Sequence, residues 1–96
     1  MAVVLVHQGP TLTRERYEEA VRRIAVGGPL RSPADWPVAG LLIHAAGQSD
    51  SGFRVVDLWE SAEAAGRFGA IAGPILQELG ITDLPEIYPT HTFVSA

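Results

Sequence analysis

His44, Asp57 and Trp59 are the side chains whose types and spacing in this chain suit proton-transfer chemistry. Asp57 and Trp59 stand two apart in an apolar run, residues 53–60, and on a strand two such residues share one face. His44 lies in the preceding apolar run, residues 38–46, and a short polar turn, residues 48–52, joins the two runs as a β-hairpin. If that turn leaves two or four loop residues, His44 faces Asp57 across the ladder and Leu42 stands opposite Trp59. If Gly52 instead closes a three-residue turn in the left-handed region, which Asp50-Ser51-Gly52 also permits, the register slips and Ala45 pairs with Asp57. In the first register the carboxylate orients the imidazole as a general base working near neutral pH. The alternative to that pairing is that Asp57 bonds a loop amide or Arg54 and His44 is an ordinary half-buried strand residue.

The aromatic residues have two readings each. Trp59 either offers a planar ligand a stacking wall or plugs the core. Trp36, in the proline-rich stretch 29–37, either staples that loop onto the domain or covers a pocket. Tyr17 reads as a core residue whose hydroxyl reaches water at a helix edge. Arg54 and Arg67 carry the charge to stabilise an enolate or phenolate, although solvated surface cations show the same pattern.

Composition removes several chemistries. With no cysteine in the 96 residues, thiolate metal sites and thiol nucleophiles are absent, and with arginine supplying all 7 cations there is no lysine for a Schiff base. A formal charge of −4 without a basic stripe argues against nucleic acid, because phosphate neutralisation needs several convergent cations. No apolar run approaches the roughly 20 residues of a membrane span. The first residues, MAVVLVH, lack the basic start and small-residue cleavage site of a secretory signal, so the expectation is a cytoplasmic protein with no membrane partner. The three histidines, His7, His44 and His91, fall on separate strands and toward opposite ends of the expected ladder, so they predict no shared metal site. Haem held by a single histidine is a further alternative.

The elements that must position these residues follow from periodicity. Residues 2–7 form an unbroken aliphatic run, expected to be a strand buried on both faces. Thr13 caps a helix whose inner face carries Tyr17, Ala20, Val21, Ile24 and Ala25, with Leu12 stapled against Tyr17 and Gly27-Gly28 ending it. Three prolines within residues 29–37 exclude regular structure there. After the hairpin, Ser61 caps a second helix starting at Ala62, with Ala65, Phe68, Gly69, Ala72, Leu76 and Leu79 on one face. Pro74 is expected to kink or split this helix, and Gly80 closes it. Residues 85–94 form the last strand, and Pro89 within it indicates a sheet edge. The order βαββαβ with right-handed crossovers predicts one ferredoxin-like α+β domain over residues 1–96. Its four-stranded antiparallel sheet has strand order 4-1-3-2 and both helices on one face. The uncovered apolar face predicts a homodimer packed sheet against sheet.

The pattern resembles the dimeric α/β-barrel superfamily, and within it the antibiotic-biosynthesis-monooxygenase-like (ABM) proteins. The resemblance is carried by Leu42-Ile43-His44, the DLWES segment from Asp57 to Ser61, Phe68, the Gly73-Pro74 pair and Pro89-Thr90-His91. That superfamily hosts cofactor-free oxygenases, haem-degrading enzymes, lactone isomerases and polyketide cyclases. The resemblance implies that Trp59 lines a pocket and that His44 and His91 are polar positions within it. Residues and resemblance together predict a small cofactor-independent enzyme, a monooxygenase or a cyclase or isomerase, acting on an aromatic or polyketide-like molecule. His44 and Asp57 are its expected catalytic pair, and Trp59, Phe68, His91 and Trp36 its expected substrate-binding residues, with no metal and no cofactor. The alternative is a non-catalytic homodimer that binds or stabilises a hydrophobic small molecule through the same pocket.

Overall fold

The computed structural model describes residues 1–25 and 30–95; the expected helix stop at Gly27-Gly28 lies outside the described residues. Four strands, β1 (Val3–Gln8), β2 (Leu41–Ser49), β3 (Gly52–Trp59) and β4 (Glu86–Pro89), accompany two helices, α1 (Arg14–Ile24) and α2 (Ala62–Glu78). The sheet runs β2-β3-β1-β4 with every neighbouring pair antiparallel. This is a small α+β architecture with an open four-stranded sheet, compatible with a ferredoxin-like fold.

Local chemistry accounts for both helix starts. The Thr13 side chain accepts from the Arg16 amide at 3.2 Å, and the Ser61 hydroxyl accepts from the Ala64 amide at 3.1 Å, each satisfying one amide that the first helical turn leaves without a partner. Leu12 packs in a small cluster with Phe53, Val55 and Tyr17, as the staple requires. Helix α2 continues through Pro74 instead of breaking there. The carbonyl that loses its donor belongs to Ala70, an exposed residue, so water can replace the missing bond. Within the proline-rich stretch, Pro33–Asp35 close one 3-10 turn, where the Asp35 carboxylate accepts from the amides of Arg31 (2.7 Å) and Ser32 (2.9 Å).

Paired residues share a face, so the ladder sets Val3, Leu5 and His7 of β1 beside Val55, Asp57 and Trp59 of β3, with His44 of β2 and Ile87 of β4 on the same side. Both helices pack on this side. Ala20 and Ile24 from α1 and Ala64, Ala65 and Ala72 from α2 bury against Val3, Leu5, Leu41 and Trp59. The three alanines of α2 bring that helix close enough to cover Trp59 completely. Gly40, at φ 112°, lets the chain enter β2 beneath α2; a Cβ there would stand 2.7 Å from that of Ala64.

Three further expectations are corrected. A register shift between Leu41 and Ile43 sets Leu41, not Leu42, opposite Trp59, so the smaller exposure goes to Leu41 (6%) and Leu42 (41%) is extruded. Within a single chain strand β1 is buried on one face only; burial alternates along it, with Val4 and Val6 half-buried on the side away from the helices. Strand β4 spans four residues and ends at Pro89, which pairs with Val3, the first residue of β1. One more ladder-type bond, from the Thr90 amide to the Ala2 carbonyl (3.0 Å), follows before the chain leaves the sheet. Among the described residues, no helix is long and apolar enough to cross a membrane.

Candidate functional site

The hairpin register puts His44 directly opposite Asp57. Asp50 and Ser51 alone form the tip, because Ser49 already pairs with Gly52, which carries the positive φ of 136°. His44 Nδ1 and Asp57 Oδ1 are 2.6 Å apart, and the indole Nε1–H of Trp59 donates to Asp57 Oδ2 at 3.2 Å. On the other side of the imidazole, His44 Nε2 lies 2.6 Å from the hydroxyl of Tyr17, which reaches across from α1. The four side chains form one continuous chain of hydrogen bonds running from helix to sheet and back into the core.

The direction of each bond follows from what each atom can do. An ionised carboxylate only accepts, so both Asp57 oxygens are occupied by N–H groups and His44 carries its hydrogen on Nδ1. Nε2 is then an acceptor, and the Tyr17 hydroxyl donates to it. Burial pushes the Tyr17 hydroxyl above its ordinary pKa, and the nearby negative charge of Asp57 adds to the shift, so the phenol stays protonated. Asp57 is 3% exposed, which makes the two N–H partners necessary: a buried carboxylate without them would be strongly destabilising.

Aromatic rings enclose this chain. Trp36 meets His44 edge-on at 5.5 Å and stacks on Phe68 at 5.4 Å, and Phe68 in turn leans on Trp59 at 5.1 Å. Between the sheet and the two helices lies a cavity of about 540 Å³, within the ordinary range for small-molecule sites. Tyr17, His44, Asp57, Trp36 and Phe68 all contribute to its wall.

The expected site residues therefore divide. His44, Asp57, Phe68 and Trp36 converge on the cavity, and Trp36 both anchors its loop in the core and lines the wall. Trp59 is completely buried and contributes no cavity surface; it acts behind the wall, holding Asp57 and backing Phe68. His91 lies beyond the end of β4, exposed and outside the cavity, because the sheet that would have aimed it inward stops at Pro89. Arg54 is on the opposite face of the sheet, bonded to Gln8 at 2.8 Å, and no arginine is among the residues lining the cavity. Tyr17, whose hydroxyl was expected to reach water, instead bonds His44 and is the cavity-wall residue that periodicity did not single out. Its signal was present, since a tyrosine on the inner face of a helix needs a partner for its hydroxyl.

Among the described residues, no cluster of three or more histidine, aspartate or glutamate side chains is arranged to hold a metal ion. Fold and site together define a small α+β protein with an apolar cavity and a tyrosine–histidine–aspartate chain in its wall. No family model matches the sequence, and neither a curated protein nor a solved structure is significantly similar to it.

Proposed function

We propose that this protein is a small cofactor-independent enzyme of ABM-like type that removes an acidic C–H proton from an aromatic or polyketide-like ketone. The observation that carries the reading is the Tyr17–His44–Asp57 chain in the wall of an apolar cavity. In the resting arrangement the Tyr17 hydroxyl occupies the lone pair of His44 Nε2. When a ketone enters, the hydroxyl turns to its carbonyl oxygen and Nε2 is released to take the α-proton. The C–H electron pair moves to the oxygen as an enolate, which Tyr17 stabilises, and Asp57 stabilises the imidazolium. The enolate then reacts with molecular oxygen, giving a monooxygenase that forms a C=O group and water, or rearranges, giving a cyclase or isomerase. In either case the substrate supplies the reactivity and the protein supplies a base, a donor and a dry aromatic wall.

The experiment is α-proton exchange. Wild-type protein in D2O is expected to speed deuterium incorporation at C1 of 2-tetralone above the buffer rate, read by proton NMR, and His44→Ala is expected to return it to that rate. Equal exchange by wild type and His44→Ala would remove the base from the mechanism. Ligand binding without any exchange would leave a non-catalytic binding protein.

The reading includes a homodimer. Val4, Val6, Ile43, Ala45, Val56 and Leu58 share the sheet face away from the helices, and Ile43 is 41% exposed there. Packing a second copy against this face would bury that apolar surface.

A further inference from the structure

A second imidazole lines the same cavity and takes no part in the proton chain. His7, on β1, is 7% exposed, and its Nε2 stands 2.7 Å from the backbone carbonyl of Asp83. A carbonyl oxygen only accepts, so Nε2 carries the hydrogen and, in the neutral ring, Nδ1 is left as an acceptor. Nδ1 has no partner among the described residues.

The Asp83 segment that fixes this tautomer is itself held in place. The Asp83 carboxylate accepts from the Thr11 amide at 2.7 Å and from the Thr11 hydroxyl, and these two bonds hold it below the usual carboxylate range. The Thr11 hydroxyl oxygen in return accepts from the amides of Thr82 (2.9 Å) and Asp83 (3.1 Å). Gly9, at φ 149°, allows the approach, since a Cβ there would collide with the Asp83 carboxylate. The Nε2–H to carbonyl bond is therefore built into a rigid loop pair, and the ring's remaining acceptor is fixed in identity.

Register gives the spacing between the two imidazoles. His44 lies in the cross-strand row with Asp57 and Leu5, and His7 lies in the next row of the same face, paired with Val55. Two strand spacings and one two-residue step separate their Cα atoms by roughly 12 Å. One end of the cavity thus presents a donor and a base, the other the free acceptor of His7 beside Thr82 and Asp83, with apolar and aromatic side chains between them.

We propose that His7 is a second recognition point, and that the cavity selects an elongated, mostly apolar ketone carrying a hydroxyl at the end remote from its carbonyl. The hydroxyl donates to His7 Nδ1 while the carbonyl faces Tyr17 and the acidic carbon faces His44. The orientation of the ketone end rests on the proton-abstraction reading; the selection of a distal donor does not.

The test uses three compounds of one shape, 2-tetralone, 6-hydroxy-2-tetralone and 6-methoxy-2-tetralone, with binding read from tryptophan fluorescence. Wild-type protein is expected to bind the hydroxy compound roughly fivefold more tightly than either other compound, the equivalent of one neutral hydrogen bond. His7→Leu, which fills the position with an apolar side chain and offers no acceptor, should equalise the three. His7→Asn, whose carbonyl takes the position of Nδ1, should keep the preference. Equal binding by wild type, or a preference that survives in His7→Leu, overturns the proposal, and the first of these needs no variant to fold. A preference without C1 exchange sinks the enzymatic reading alone; exchange without a preference sinks this one alone; failure of all three ketones to bind overturns both.

Discussion

Tyr17 Oη stands 2.6 Å from His44 Nε2, so the nitrogen that would act as base is capped by a protonated phenol delivered from a different element. The pair is self-consistent only while Tyr17 donates, and the same hydroxyl is a donor beside any oxyanion formed at His44. Tyr17→Phe is therefore expected to lower ketone exchange by about a hundredfold, the usual size of losing one oxyanion donor. The fold should lose only about 1 kcal/mol, because the ring keeps its packing against Phe53. Exchange rates and a urea titration read the two effects separately. Full exchange in the Tyr17→Phe variant would assign the phenol to packing alone.

The raised pKa of Tyr17 has a stability consequence with a definite sign. Its folded value lies above the ordinary 10.0, chiefly through burial and then through the charge of Asp57. Folding therefore favours the protonated form. That contribution is complete below pH 10 and is lost as pH rises through the higher folded value. Wild-type stability should fall more steeply above pH 10 than that of Tyr17→Phe, as measured by denaturant midpoints across the alkaline range. Parallel curves would contradict the burial of the hydroxyl.

Gly40 is where β2 passes beneath α2. Gly40→Ala combines a positive φ with a Cβ contact of 2.7 Å to Ala64, whose backbone is fixed in the helix. A loss of about 2–3 kcal/mol in unfolding free energy is expected. Gly47→Ala, which meets nothing within 4 Å, serves as the control and should change stability little.

Ile43→Glu addresses the proposed sheet-to-sheet dimer. The side chain lies on the face away from the helices, and a carboxylate placed in an apolar interface must be desolvated. Sedimentation equilibrium should show a wild-type dimer and a dissociated variant, with far-ultraviolet circular dichroism unchanged. A wild-type monomer would remove the dimer from the reading.

Local and periodic features were legible in the residues themselves. Thr13 and Ser61 cap helices because a hydroxyl reaches an amide three residues on, whatever the rest of the chain does. The apolar runs and the hairpin turn specify strands, and the order of elements leads to the observed neighbours β2-β3-β1-β4. Spacing also narrowed the hairpin to two registers, in one of which His44 meets Asp57.

Tertiary structure decided everything that depends on which surfaces touch. The docking of α1 brings the Tyr17 hydroxyl to His44, a contact between distant positions that a helical period cannot express. The bulge at Leu42 sets Leu41 opposite Trp59, and the early end of β4 leaves His91 outside the site that the family resemblance implied for it. Trp59 shows the division most clearly. Its place on the face shared with Asp57 follows from alternation along a strand, but whether that face meets a ligand or a helix depends on how closely Ala64, Ala65 and Ala72 approach. Steric fit between elements settles that, so the tryptophan supports the wall of the cavity without forming part of it.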